Sequence, residues 1–170
     1  MTRERIAMLG VAAAVIALGV GLGSTLSRIE YATTADEGHY LGYARLLVAQ
    51  GPTGVREAFE GYVADENRWR FPNPLRLAYH GMTASWLGVR GGDFRALSEL
   101  SLVAHLLLVL GTFAALRGPL GATRSALVAV SVGCSPLLLA LARRALMDGV
   151  ACWKAARPSK SSCASPARTD

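Results

Sequence analysis

Two adjacent carboxylates, Asp36 and Glu37, are the side chains best placed in this sequence to do chemistry. They open the segment DEGHYLGYAR at residues 36–45, shortly after a long apolar run ends. A carboxylate acts as a general base when it lies within hydrogen-bond reach of a substrate hydroxyl. The same acids can be purely structural, because Thr34 and Glu37 fit a helix capping box and Asp36 complements the helix dipole. Catalysis and capping are therefore both open for this pair.

A helix must position these carboxylates, and the sequence predicts one that runs to Gln50 and stops at the Gly-Pro pair that follows. Asp36, Tyr40 and Tyr43 share one face of this helix, because residues four and seven apart are neighbours on a helix surface. A polar and aromatic face suits a sugar or phosphate ligand. Tyr40 is therefore a candidate substrate-binding residue beside the acid pair.

Arginines near two prolines form a second candidate site. Its members are Arg68, Arg70 and Arg76. The planar guanidinium matches phosphate oxygens bidentately, so these side chains could bind an anionic lipid phosphate. The alternative for each arginine is contact with lipid headgroups without any part in catalysis.

The segment after Pro72 predicts a further helix that starts at Pro74, where proline is tolerated in the first turn. Apolar residues recur through it at helical spacing, namely Leu75, Ala78, Tyr79, Met82 and Trp86. An amphipathic helix with a tryptophan near its end is typical of a segment lying on a membrane surface.

Three apolar runs predict membrane-spanning helices at about 6–26, 97–116 and 124–142. About 20 apolar residues cross a hydrocarbon core roughly 30 Å thick. The first run exceeds the roughly 7 to 15 apolar residues of a signal peptide, so it is interpreted as a retained anchor. The fold class predicted is all-α: a polytopic membrane protein of about three spans, with an extracytoplasmic helical loop between the first and second.

Arginines in the short segments set the predicted orientation. Arg3 and Arg5 precede the first span, and Arg117 and Arg124 lie between the second and third. Because basic residues in short loops mark the cytoplasmic side, the N-terminus is predicted to be cytoplasmic and residues 27–95 extracytoplasmic. The predicted location is the cell membrane, with the lipid bilayer as a partner and no nucleic acid.

Isolated polar residues in the runs are interpreted as structural. Glu99 is predicted to be interfacial, and His105 to be a hydrogen-bonded core histidine rather than a ligand. Cys134 is predicted to be a small buried packing residue. His39 and His80 are too far apart in sequence to indicate a metal site, so no cofactor or metal ligand is predicted, although a divalent metal stays open.

Residues 151–170 differ in composition from the rest of the chain. They contain its only lysines, Lys154 and Lys160, together with several serines, and the basic surplus behind the net charge of +6 comes mostly from the residues after the third run. Three spans would leave this basic tail outside the cell. Two interpretations stay open: a disordered tail, or a stretch translated out of frame from about Cys152.

The third run ends in the segment ARRALMDG at residues 142–149, which carries Arg143 and returns a carboxylate, Asp148, to the face where Asp36 stands. Both residues are candidates for substrate binding. The chain contains, in order, an apolar first span, Asp-Glu-x-x-Tyr-x-x-x-Ala-Arg, Pro-x-Pro-Leu, Ser-Pro and Ala-Arg-x-Ala-Leu-Met-Asp. This order resembles that of the N-terminal third of the GT-C membrane glycosyltransferases. The similarity is to the glycosyltransferase family 39 type, which includes protein O-mannosyltransferases and the lipid A aminoarabinose transferase. It covers residues 1 to about 150.

This resemblance implies inverting transfer of a sugar from a polyprenyl-phosphate carrier to an acceptor on the outer face. Asp36 would be the general base, while Glu37 and Asp148 would orient the acceptor or the structure. The sequence departs from the aminoarabinose branch at residues 70–74, which leaves the carrier phosphate to arginines. Enzymes of this class have many more spans, so we expect the chain alone to be an inactive N-terminal fragment. The alternative is a small three-span, non-catalytic protein with a structural or partner-binding role.

Overall fold

The computed structural model describes residues 2–26, 35–70, 73–91 and 93–144, and all regular elements in these ranges are helical. The predicted all-α class is therefore confirmed for this part of the chain. The elements are α1 (Arg3–Leu26), α2 (Ala35–Gln50), α3 (Pro52–Ala64), a 3₁₀ segment (Glu66–Arg70), α4 (Leu77–Arg90), α5 (Phe94–Gly133) and α6 (Pro136–Ala142).

Helix α5 reverses direction at Gly121. This residue has φ 75° and ψ 164°, a conformation open almost only to glycine, and Pro119 removes a backbone donor just before it. His105 Nε2 lies 3.1 Å from the carbonyl oxygen of Gly133, although the two residues are 28 apart in sequence. A straight helix would separate them by about 42 Å. Residues 94–120, the first limb, and residues 122–133, the second limb, therefore form a hairpin.

Helix α1 packs along this hairpin. Gly19 lies against Leu106 and Gly23 against Leu102, so α1 runs antiparallel to the first limb. Gly133 of the second limb is held so closely that a Cβ there would be 2.9 Å from the side chain of Val109. We call the end of this three-helix bundle that holds Gly121 and the start of α1 the turn end.

The opposite end of the bundle carries α2 and α4, and we call it the acid end. These helices pack on each other and on the start of α5 around a buried cluster formed by Tyr40, Leu41, Ala44, Tyr79, Leu87, Ala96, Leu97 and Ala104. Helix α2 ends at Gln50 as predicted, and α3 begins at once because Pro52 supplies a helical first turn.

Two expectations about the later residues were wrong, and the helix of the predicted third span differs in detail. The segment at about 124–142 is not one continuous helix: it is interrupted between Gly133 and Pro136, where proline lacks the N–H that a continuing helix requires. Cys134 caps the second limb and is exposed rather than buried. The helix predicted from Pro74 begins only at Leu77.

Two helices of the described chain, α1 and α5, are long and apolar enough to cross a membrane. Only 11% of the apolar window of α1 is buried within the protein. Large side chains of α1 such as Leu9, Ile16 and Val20 are therefore exposed. Apolar surface of this extent on a soluble monomer is unusual, so it favours a lipid environment or a protein partner.

Candidate functional site

The two carboxylates at the start of α2 occupy different environments. Asp36 is exposed in the first turn, whereas Glu37 is only 4% exposed. Successive residues of an α-helix point about 100° apart, so one acid can face the packed interior while its neighbour faces outward. Residue type and spacing could not distinguish the two acids, and their surroundings do.

Glu37 forms a long-range ion pair. Its Oε1 accepts a hydrogen bond from Nε of Arg144, 3.0 Å away and 107 residues further along the chain. Arg144 lies two residues after the last residue of α6, so the pair ties the start of α2 to the end of α6. Breaking a buried pair on one side leaves an uncompensated charge, which makes such a contact costly to disrupt. The capping prediction did not foresee this partner.

Tyr40 lies inside the packing between α2 and α4. Its hydroxyl accepts a hydrogen bond from Nη1 of Arg76 at 2.7 Å, and its ring meets that of Tyr79 edge-on with centroids 5.0 Å apart. The face that was expected to be open to a ligand is thus turned towards α4 at Tyr40. The structure does bring Arg76, another predicted site residue, into direct contact with Tyr40.

His80 lies among three tyrosine rings and is 1% exposed. The ring centroids of Tyr43, Tyr79 and Tyr40 are 5.1, 5.8 and 6.0 Å away. Among the described residues, neither ring nitrogen of His80 has a hydrogen-bond partner of acceptable geometry. His80 is not among the predicted site residues, and the only signal in the sequence for its burial is its position next to Tyr79 on the same helix.

Burial lowers the pKa of His80, because the imidazolium form loses its hydration. The Asn73 backbone opposes this lowering, although its contact with the ring falls short of a geometric hydrogen bond, and the charge of Arg76 lowers the pKa further. Burial also raises the pKa of the Tyr43 phenol, and the nearby charge of Arg68 counteracts that rise. Both rings are therefore held neutral within the cluster.

The remaining predicted arginines lie on exposed segments. Arg68 and Arg70 belong to the 3₁₀ segment, and Nε of Arg68 is 3.4 Å from Oδ2 of Asp65. Arg143 is exposed at the end of α6, next to Arg144. Asp148, like the predicted cap Thr34, lies outside the described residues. The contacts thus join Tyr40 to Arg76 between α2 and α4, while on the same helix Glu37 is paired with Arg144 and Asp36 is exposed.

The polar residues of the first limb make structural contacts. The carboxylate of Glu99 is 2.9 Å from Nε of Arg90 and 3.4 Å from Nε of Arg95, so it links α4 to α5. His105 is buried and bonded to the Gly133 carbonyl oxygen, which confirms the prediction of a hydrogen-bonded core histidine. Within the described ranges, no three His, Cys, Asp or Glu residues are grouped as a metal site would require.

Fold and site together define a class: an all-helical protein with two helices of membrane-spanning length and a polar, aromatic region at one end of its bundle. Comparison with protein families, curated proteins and solved structures found no match to this chain.

Proposed function

We propose that this protein is the acid-bearing N-terminal part of a membrane glycosyltransferase that moves a sugar from a polyprenyl-phosphate carrier to an acceptor on the outer membrane face. The observation that carries the proposal is the difference in environment between the two acids. Glu37 is buried and anchored by Arg144, whereas the adjacent Asp36 is exposed where α2 begins. A general base needs a fixed backbone and an accessible carboxylate, and Asp36 has both.

The proposed membrane arrangement has three spans: α1, the first limb, and the second limb with α6. Support comes from the basic residues of the turn end. Arg117 at the hairpin forms an ion pair with Glu4 at the start of α1, so Arg3, Arg5, Arg117 and Arg124 belong to the same end of the bundle. Basic residues are enriched in short cytoplasmic loops, so we assign these four arginines to the cytoplasmic side. The acid end then lies on the outer side of the membrane.

In the proposed reaction, Asp36 takes the proton of the acceptor hydroxyl as that oxygen attacks the anomeric carbon. The bond from this carbon to the carrier phosphate breaks, its electron pair leaves with the phosphate, and the configuration inverts. Arginine N–H groups near the acid end would stabilise the departing phosphate. Arg76 is a candidate because its guanidinium lies in this region, bonded to Tyr40, and the exposed Arg68, Arg70 and Arg143 are others.

The competing function is a small three-span protein that acts by structure or partner binding. One observation favours it: Tyr40, Tyr43 and His80 are packed against one another rather than open to a ligand. In that case Asp36 would serve α2 only through its charge near the helix N-terminus. The two functions therefore differ in what the loss of the Asp36 charge does to activity.

The test is sugar transfer from a polyprenyl-phosphate donor by membranes that contain the full-length enzyme of which this chain is proposed to be the N-terminal part. Asp36→Asn should lower the rate by about 10² to 10⁴, the usual contribution of a general base. Its cost to stability should be only about 0.3 to 1 kcal/mol, from the lost interaction with the helix dipole. Glu57→Gln removes another exposed acid, on α3, and should leave transfer unchanged. Near-normal transfer by a well-expressed Asp36→Asn would refute the assignment.

A further inference from the structure

An apolar groove of about 610 Å³ lies between α1 and the second limb at the turn end. Its walls include Ile6, Gly10, Leu127 and Val130, and two arginines, Arg3 and Arg124, line it as well. Ile6 and Leu127 are 54% and 66% exposed, so this apolar surface is not covered by the described part of the chain. The groove thus combines a hydrocarbon-like wall with cationic groups.

Arg3 and Arg124 differ from the nearby Arg117 in that they have no ion-pair partner among the described residues. Arg117 is neutralised by Glu4, whereas the side chains of Arg3 and Arg124 form no ion pair or hydrogen bond with any residue that the structure describes. Two uncompensated guanidinium groups therefore border one apolar groove. Guanidinium groups bind phosphate oxygens in charge-assisted, often bidentate hydrogen bonds.

We propose that this groove binds one anionic phospholipid. The phosphate of its headgroup lies between the guanidinium groups of Arg3 and Arg124, and an acyl chain follows the wall formed by Ile6, Gly10 and Leu127. Basic pockets between spans on the cytoplasmic side are a recurring site for anionic headgroups. The inference rests on the proposed membrane insertion and is independent of sugar transfer. An apolar protein helix in this position would leave both cations without an anion, so a lipid with an anionic headgroup is the more favourable occupant.

The site is tested on the purified full chain by native mass spectrometry, with phosphatidylglycerol and phosphatidylcholine as competing probes. We expect one phosphatidylglycerol to be retained per chain, in preference to phosphatidylcholine. Arg3→Gln and Arg124→Gln should each weaken its retention by about 10-fold, the loss of one charge-assisted contact. Arg5→Gln is the matched control, because Arg5 has the same charge in the same turn of α1 but does not line the groove. Its effect should stay within about 2-fold, as expected for a screened surface charge.

A second variant tests the groove without changing its charge. A Cβ at Gly10 would meet no atom within 4 Å, so Gly10→Leu should fold normally while its side chain fills the groove. We expect it to lower phosphatidylglycerol retention at least as much as Arg3→Gln. Equal retention of the two lipids, or an Arg5→Gln effect as large as that of Arg3→Gln, would overturn the site.

Two further outcomes would also overturn the site, and they have different causes. Release of the chain from membranes by alkaline carbonate would refute insertion itself and with it the three-span arrangement. A chain that stays in the membrane, ignores phosphatidylglycerol and forms a disulfide between two Leu127→Cys copies would show that a second copy covers the groove. Neither result depends on glycosyltransferase activity, so failure of the lipid site and failure of the catalytic proposal are distinguishable.

Discussion

Asp36 and Glu37 show how two residues with the same functional group can have different roles because their surroundings differ. Asp36 and Glu37 carry the same functional group, but only Glu37 is buried against a cation from a distant part of the chain. Burial with a partner makes Glu37 a structural anchor of α2. Exposure leaves Asp36 available to a substrate, which is why the proposed function assigns catalysis to Asp36 alone.

The anchor can be tested at Arg144. Arg144→Gln leaves the buried Glu37 carboxylate without this partner and should lower the free energy of unfolding in detergent by about 1 to 3 kcal/mol. The figure is below that of a fully buried pair because the Arg144 side chain is 36% exposed and therefore partly screened. The double variant Glu37→Gln/Arg144→Gln should be less destabilised than the sum of the two single variants. Strict additivity would show that the two side chains are not coupled.

His80 allows a second prediction at this scale. Its buried ring nitrogens have no hydrogen-bond partner among the described residues, so His80→Phe keeps an aromatic ring and removes two unsatisfied polar atoms. We expect the free energy of unfolding to rise by about 1 kcal/mol. Phe94, which packs at the edge of the same core, supplies the control: Phe94→Leu should destabilise the protein. A destabilised His80→Phe would indicate that the imidazole nitrogens make a favourable contact.

The same residue predicts a dependence of stability on pH. The folded-state pKa of His80 is lowered by burial, so the unfolded chain binds more protons at pH values between that pKa and about 6.5. Stability should therefore fall as the pH drops through this window. His80→Phe should show a shallower loss when unfolding is followed from pH 7.5 to 5. Parallel curves for the two proteins would contradict a lowered pKa at His80.

At the scale of elements, one backbone position makes the hairpin of α5. Gly121 has a positive φ that other residues adopt only with strain, so Gly121→Ala should cost about 1 to 3 kcal/mol of stability. Gly111→Ala is the control, because Gly111 is helical and a Cβ there meets no atom within 4 Å. That variant should be neutral or slightly stabilising, since alanine is the better helix former. Thermal unfolding of both variants measures the difference.

At the scale of the whole molecule, the prediction concerns orientation in a membrane. Single cysteines at Arg56 on α3 and Arg117 at the turn end, in a cysteine-free background, lie on opposite sides of the proposed membrane. An impermeant thiol reagent should label intact cells only at position 56. After permeabilisation both positions should react, which controls for accessibility. Labelling of position 117 alone in intact cells would show that the orientation is the reverse of the one proposed, with Asp36 inside the cell.

Much of the fold could be predicted from local patterns. Apolar runs of sufficient length indicated the helices of the bundle, and the Gly-Pro pair after Gln50 marked the end of α2, because length, periodicity and turn residues act over a few neighbours. The hydrogen-bonded role of His105 was predicted on the same grounds: a lone histidine in an apolar run must satisfy its ring within the core. The helix break before Pro136 was not predicted, although the Ser-Pro pair lies within the predicted third span and proline signals such a break.

Only the tertiary structure decided how the candidate site is built. The partner of Glu37 is 107 residues away, the hydroxyl of Tyr40 is bonded to Arg76 of another segment, and His80 is enclosed by rings from two helices. No local pattern specifies which faces of α2 and α4 meet, because that depends on residues far apart in sequence that come together only in the folded chain. The sequence by itself therefore determined the helices and the residues worth testing. The division between the exposed Asp36 and the buried Glu37 arose only when the chain folded back and brought Arg144 to the start of α2.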